Sequence, residues 1–228
     1  MKDKSAKTVV RKANLLLYAS AQFIVLTIAA MFTYPGSAKF EPQSDRYLFF
    51  QNFFSDLGAT KTYSGLSNTT SMVMFIVALS SVGLALLVFS TTWKSIANRE
   101  GDRIFGYAAQ VFAVLSGLCF IGIAATPWDL ILSAHNSFVK AAFSLLLGFI
   151  VCLSALQMRN LWRKQYLVLN LLYLVILSIY IGILFYGPDL TTREGLEFQV
   201  AAQKIIVYVS VLNLGFQALG IRQSASLS

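Results

Sequence analysis

The chain has 228 residues and a mass of 25.2 kDa; 57% of its residues are apolar or aromatic, 12% are charged, and the mean hydropathy is +0.66. Soluble globular domains carry about 25% charged residues, so composition excludes that class. At ~20 apolar residues per crossing, the length holds six or seven spans with short connections, in one integral membrane domain over residues 1–228.

In chain order, the apolar runs fall at 13–33, 70–91, 104–125, 137–157, 166–186 and 199–220. They predict an all-α polytopic bundle of six transmembrane helices, because a helix satisfies its own backbone amides where water is absent. A 22-residue helix rises ~33 Å, enough for a ~30 Å hydrocarbon core. Outer-membrane strands would instead alternate in ten-residue segments, and no such alternation is present. The first run follows a basic stretch but is longer than a signal-peptide core of ~7–15 residues, so it is expected to be a retained signal anchor. Pro35-Gly36, Gly101, Thr126-Pro127 and Gly187-Pro188 punctuate the run ends. Trp93, Trp128 and Trp162 also stand at run ends, where amphipathic rings suit the headgroup level.

Twelve Lys and Arg flank the runs on the side of the two termini, against four on the opposite side, Lys39, Arg46, Lys61 and Arg193. The positive-inside rule then predicts a cell-membrane protein with N- and C-termini in the cytoplasm. The net charge of +8 is dispersed over membrane-flanking segments. With no soluble basic module to present it, nucleic acid is not expected as a partner, whereas membrane lipid is. Cys119 and Cys152 lie within spans without metal or redox spacing, and the chain has a single histidine, His135. No metal and no cofactor are expected. Asn68-Thr69-Thr70 matches a glycosylation sequon but abuts the second span, which reads as chance.

The unusual residues collect on the outer side. Seven of the ten acids lie there. The connection 34–69 is the longest, and within it Phe49, Phe50, Phe53 and Phe54 follow helical spacing, with Gln51, Asn52 and Ser55 toward the other side. This pattern predicts an amphipathic helix over 46–58 that caps the bundle and stops at Gly58. Lys140 and Lys204 stand about one turn inside the membrane from the same face. An intramembrane charge costs ~3 kcal/mol at a helix centre, so each lysine either snorkels to the headgroups or meets a partner such as Asp56, Asp129, Asp189 or, for Lys204, Glu197. Ser133 can cap the fourth span. In the sixth, Gln199, Gln203, Ser210 and Gln217, with Asn213 beside them, form a polar stripe that should face protein or water.

Phe54-Ser55-Asp56-Leu57-Gly58 resembles the Ser-Asp-Leu-Gly signature of a prokaryotic six-span membrane family of unknown function, related in layout to the FRAG/DRAM/Sfk superfamily. Ala125-Thr126-Pro127-Trp128-Asp129 followed by His135 is similar to that family's proline-aspartate loop and histidine. Gln203-Lys204-Ile205 is similar to its glutamine-basic-isoleucine motif, with Lys in place of the expected Arg. The layout covers nearly the whole chain, the motifs about fifteen residues. The resemblance implies a lipid-linked role. Lys204 keeps the charge of Arg but not its planar fork, which weakens an inference of bidentate phosphate or carboxylate recognition.

Three functions stay open from the residues. An outer-leaflet polar pocket containing Asn52, Asp129, Lys140, Gln203 and Lys204 would bind a lipid or an anionic amphiphile. A lipid-modifying hydrolase or transferase would use Ser55, Asp56 and His135 as nucleophile and acid–base groups. A structural or assembly protein would use the same polar groups only to join helices.

Overall fold

The computed structural model describes residues 2–95, 100–160 and 163–225. The fold follows the apolar runs. Six helices, α1 (Lys2–Thr33), α2 (Thr69–Phe89), α3 (Arg103–Ala125), α4 (Trp128–Arg159), α5 (Lys164–Tyr186) and α6 (Arg193–Ala225), are each long and apolar enough to cross a membrane. Among the described residues there is no strand, only the isolated bridges Ala38↔Glu41 and Lys61↔Ser67. The architecture is that of a six-helix bundle, compatible with a multi-pass, membrane-embedded protein. Each helix packs on its chain neighbours, and α6 closes the ring against α1.

Small residues set the tightest contact. A Cβ at Gly83 of α2 would lie 2.8 Å from the Gly117 carbonyl oxygen, and a Cβ at Gly117 of α3 would lie 2.8 Å from that of Gly83. Only glycine at both positions lets these backbones meet, the usual means of close helix association in lipid. Elsewhere the core is filled by Leu16, Phe23, Leu86, Leu146, Ile150, Leu177 and Ile206, all buried.

Several helices extend beyond their apolar runs: α1 begins at Lys2, well ahead of residue 13, and α4 and α6 also start early. Helix α4 begins at Trp128, with a non-helical residue, Ile131 (φ −139°, ψ 63°), between its first turn and the rest. Ser133 therefore does not cap the span: it sits inside α4, where its carbonyl accepts the Ser137 hydroxyl at 2.9 Å. Helix α6 begins at Arg193 and carries polar residues one and a half turns ahead of its apolar run. Hydropathy marks where a helix turns greasy, which is not where its hydrogen bonding starts. Of the tryptophans placed at run ends, Trp162 and the side chain of Trp93 lie outside the described residues.

The expected 46–58 helix is absent. The segment makes a turn at 48–52 and one short 3-10 helix, Phe54–Gly58. Side-chain bonds replace the helical ones: Asn52 Oδ1 accepts the Leu48 N–H at 2.9 Å, and the Tyr47 hydroxyl donates to the Asn52 and Phe53 carbonyls at 3.0 and 2.9 Å. Asn is well suited to such competition with a backbone ladder. The phenylalanine stripe is split in consequence, with Phe49 and Phe50 exposed and Phe54 buried against Phe23 and Tyr208. Gly58 does end the short helix, for a reason of space rather than chirality: a Cβ there would lie 2.4 Å from the Phe75 ring.

Candidate functional site

Loop 34–68 folds over one end of the bundle and is held there by buried polar groups. Asn52 is the hub. Its amide nitrogen donates to the Ser37 carbonyl and to Asp56 Oδ2, both at 3.0 Å. Asp56 Oδ2 also accepts the Phe53 N–H at 2.9 Å, and Oδ1 is met by the Tyr63 hydroxyl at 3.5 Å. Asn68 lies beneath, giving its amide hydrogens to the carbonyls of Asp56, Leu57 and Ala59. It is 1% exposed, so the sequon places no accessible acceptor there.

Two further anchors come from the helices. Asp129, in the first turn of α4, accepts from Thr60 N–H at 3.0 Å, from Lys61 N–H at 3.1 Å and from the Thr60 hydroxyl. Gln203 of α6 accepts the Phe54 N–H at 2.8 Å. Lys204, 2% exposed, donates to the Asn52 carbonyl, and its ammonium lies 5.0–5.7 Å from the ring centroids of Tyr47, Phe49 and Phe54. A buried ammonium enclosed by ring faces and one carbonyl is a stable desolvated arrangement. Lys204 thus turns away from Glu197 and locks the loop.

Between this loop and the near ends of α4, α5 and α6 lies a cavity of about 340 Å³. Leu132, Val139, Ile183, Leu184, Leu190 and Leu196 supply aliphatic wall, and Phe53, Tyr63, Trp128 and Tyr180 supply rings. Its polar lining comes from Ser55, Asp56, His135, Asn136, Gln199 and Gln203, with the exposed Lys39 also contributing. Of the residues singled out from the sequence, the structure brings the first three to one cavity, together with Gln203. The sequence reading also placed Asn52, Asp129, Lys140 and Lys204 in the same recess, and those four do not line it. Asn52 and Lys204 stand behind the wall, Asp129 is spent on loop backbone, and Lys140 is exposed on the bundle exterior with its ammonium 5.3 Å from the Phe185 ring. The pair of lysines imagined as an anion clamp is therefore not assembled.

Several lining groups have hydrogen-bonding capacity that no described residue fills. The Trp128 indole N–H is buried without a partner. Neither the Ser55 hydroxyl nor the Gln203 amide N–H group is paired among the described residues. His135 Nδ1 lies 2.7 Å from the Thr126 carbonyl. A carbonyl can only accept, so Nδ1 carries the hydrogen and Nε2 of the neutral ring is left as a base. Burial pushes the Asp56 carboxyl up to about 6, against the opposing pull of the Asn52 and Phe53 hydrogen bonds and of Lys204. Burial and the Asp56 charge together hold the Tyr63 phenol well above its ordinary range. Among the described residues no group of three His, Cys, Asp or Glu is disposed to hold a metal ion.

The sequence reading missed Tyr63, Tyr180 and the inward role of Trp128, whereas Gln199 belongs to the polar stripe expected to face protein or water. For Tyr180 a signal existed: it continues the buried face Tyr166, Asn170, Tyr173 and Leu177 at helical spacing. At the other end of the bundle the α6 stripe joins helices as expected. Asn213 donates to Asn170, Asn170 to Ser154, Gln217 to Asn213 and Gln157 to Gln217, while Tyr173 pairs with Ser210. No family model, curated protein or solved structure matches the chain.

Proposed function

We propose that this is a cell-membrane protein with both termini in the cytoplasm whose outer-leaflet cavity binds the head and upper chain of a membrane amphiphile. The observation that carries the reading is the division of one cavity into an aliphatic wall and a polar end with unfilled hydrogen bonds at Ser55, Trp128, His135 and Gln203. Of these only the Trp128 N–H is a buried donor without a partner; the others are free to meet a ligand, and ligand pockets of roughly 300–1,000 Å³ combine apolar walls with few polar groups in this way. Leu132 lines the cavity and is 53% exposed, which gives a lipid chain a route in from the side of the bundle. The family resemblance at Ser55-Asp56-Leu57-Gly58 points the same way, toward lipid.

The test is extraction of the protein in a neutral detergent followed by lipid analysis. Wild type should retain a stoichiometric amphiphile, and Leu132→Trp, which fills the cavity from an exposed position, should lose it while staying folded. Equal retention by both would refute the reading.

A second reading, a lipid-modifying hydrolase or transferase, rests on one specific observation: the unprotonated Nε2 of His135 and the unpaired Ser55 hydroxyl line the same cavity. A serine-directed phosphonate probe decides it. Adduct formation on Ser55 that is lost in His135→Gln supports chemistry; an unlabelled Ser55 leaves binding alone.

A further inference from the structure

Resting on the amphiphile-binding reading, we propose that the cavity selects an ammonium head, held between the Asp56 carboxylate and the rings of Tyr63 and Trp128. The charge layout argues first. Asp56 is 1% exposed and lines the cavity, whereas neither intramembrane lysine does. The one cationic side chain on the lining, Lys39, is exposed and its ammonium donates to the Leu190 carbonyl at 2.8 Å. An anionic head pushed to the buried end would meet a carboxylate there, and a cationic one would meet its counter-charge.

The hydrogen-bond inventory agrees. Asp56 Oδ2 is satisfied twice, but Oδ1 has only the Tyr63 hydroxyl at 3.5 Å, long for an O–H···O bond. That oxygen retains lone pairs for a ligand. The rings add a second attraction: Tyr63 and Trp128 both line the cavity, packed together with centroids 5.3 Å apart at an interplanar angle of 36°, and Tyr63 reaches the carboxylate through its hydroxyl. Ring faces flanking a desolvated cation are the common recognition mode for alkylammonium groups. The same loop already does this for an internal ammonium, enclosing Lys204 with Tyr47, Phe49 and Phe54. A zwitterionic head would use both ends, its ammonium at Asp56 and its phosphate toward Lys39.

The experiment titrates the full chain, in neutral maltoside micelles, with twelve-carbon amphiphiles bearing trimethylammonium, phosphocholine or phosphate heads, and reads bound ligand by native mass spectrometry. Trimethylammonium and phosphocholine are expected to bind at least about tenfold more tightly than phosphate, the effect of one partly desolvated charge contact. Asp56→Asn and, independently, Trp128→Leu should each erase most of that preference. Trp128→Leu guards against misfolding of the first variant, because the indole N–H it removes bonds nothing in the protein. Competition by tetramethylammonium at equal strength would keep the ammonium site and assign it to a soluble ligand. Equal or tighter binding of phosphate, or a preference that survives both substitutions, would overturn the proposal. Failure of all three amphiphiles would overturn the cavity reading itself.

Discussion

Asp56 offers the sharpest test of the loop's electrostatics. Its carboxyl is buried, and burial raises it from 3.8 to about 6 in the fold. A raised folded value contributes stability that is fully present below the unfolded value and is lost as pH rises through the folded one. At 1.36 kcal/mol per tenfold change in proton affinity, the whole span from 3.8 to about 6 amounts to about 3 kcal/mol, of which roughly 2 kcal/mol disappears between pH 4.5 and 7. At roughly 2–4 °C per kcal/mol for a chain of this size, the apparent Tm should fall by about 4–8 °C over that interval. The assay is thermal unfolding in a neutral detergent, wild type beside Asp56→Asn. The variant should lose this part of the slope, since Asn can still accept the Phe53 N–H and has no proton to give up. Identical slopes in the two proteins would refute the assignment of a buried, high-affinity proton to Asp56. Lys204→Met should push the wild-type inflection upward, because Lys204 is among the influences holding the carboxyl down.

Other outcomes follow from single contacts. Lys204→Met itself should cost about 2 kcal/mol of stability, the range for a charge-assisted hydrogen bond, and no more, since the Asn52 carbonyl keeps the Tyr47 hydroxyl. Proteolysis within 34–68 would report it as faster loop release. Gly83→Ala should cost about 1–3 kcal/mol by forcing α2 from the Gly117 carbonyl, read as lowered Tm; an unchanged Tm would mean the helices are not in contact there. Asn213→Leu should cost about 1–2 kcal/mol, because it strands Asn170 Oδ1 and one Gln217 N–H in the bundle interior. Lys140→Met should leave amphiphile retention unchanged, as Lys140 stands outside the cavity; lost retention would show that the recess extends to α4's exposed face.

The bundle was legible because the apolar period and span length are one-dimensional properties. Each run carries its own evidence, and no distant residue can alter the need for a satisfied backbone in lipid. The α6 stripe was legible for the same reason: Ser210, Asn213 and Gln217 fall on one face at helical spacing, and that face had to find protein. The lysines illustrate where such reasoning stops. Lys140 and Lys204 look alike in sequence, each a cation a turn inside an apolar run. Their fates differ because one faces Phe185 at the bundle exterior and the other faces a loop 152 residues away. Rotational position about a helix axis decides between snorkelling and burial, and for α4 the polar residues near Lys140 do not fix it.

The loop shows why the helix expected over 46–58 was not formed despite its phenylalanine spacing. A helical stripe pays off only if one continuous apolar surface is available to receive it. Here the receiving surface is divided: Phe54 enters a gap between Phe23 and Tyr208, while Lys204 occupies the position beneath Tyr47 and Phe49. Placing the rings around an ammonium requires the chain to turn at 48–52, and Asn52 makes that turn affordable in hydrogen bonds by serving Leu48, Ser37 and Asp56 at once. The same turn leaves Ser55 and Asp56 on the cavity side of the short helix and Asn52 behind it. The reactive-looking residues thus meet as a consequence of where Lys204 sits, so the cavity and the loop lock are one construction: weakening the lysine cage should loosen the polar end of the cavity, although none of the cage residues touches it.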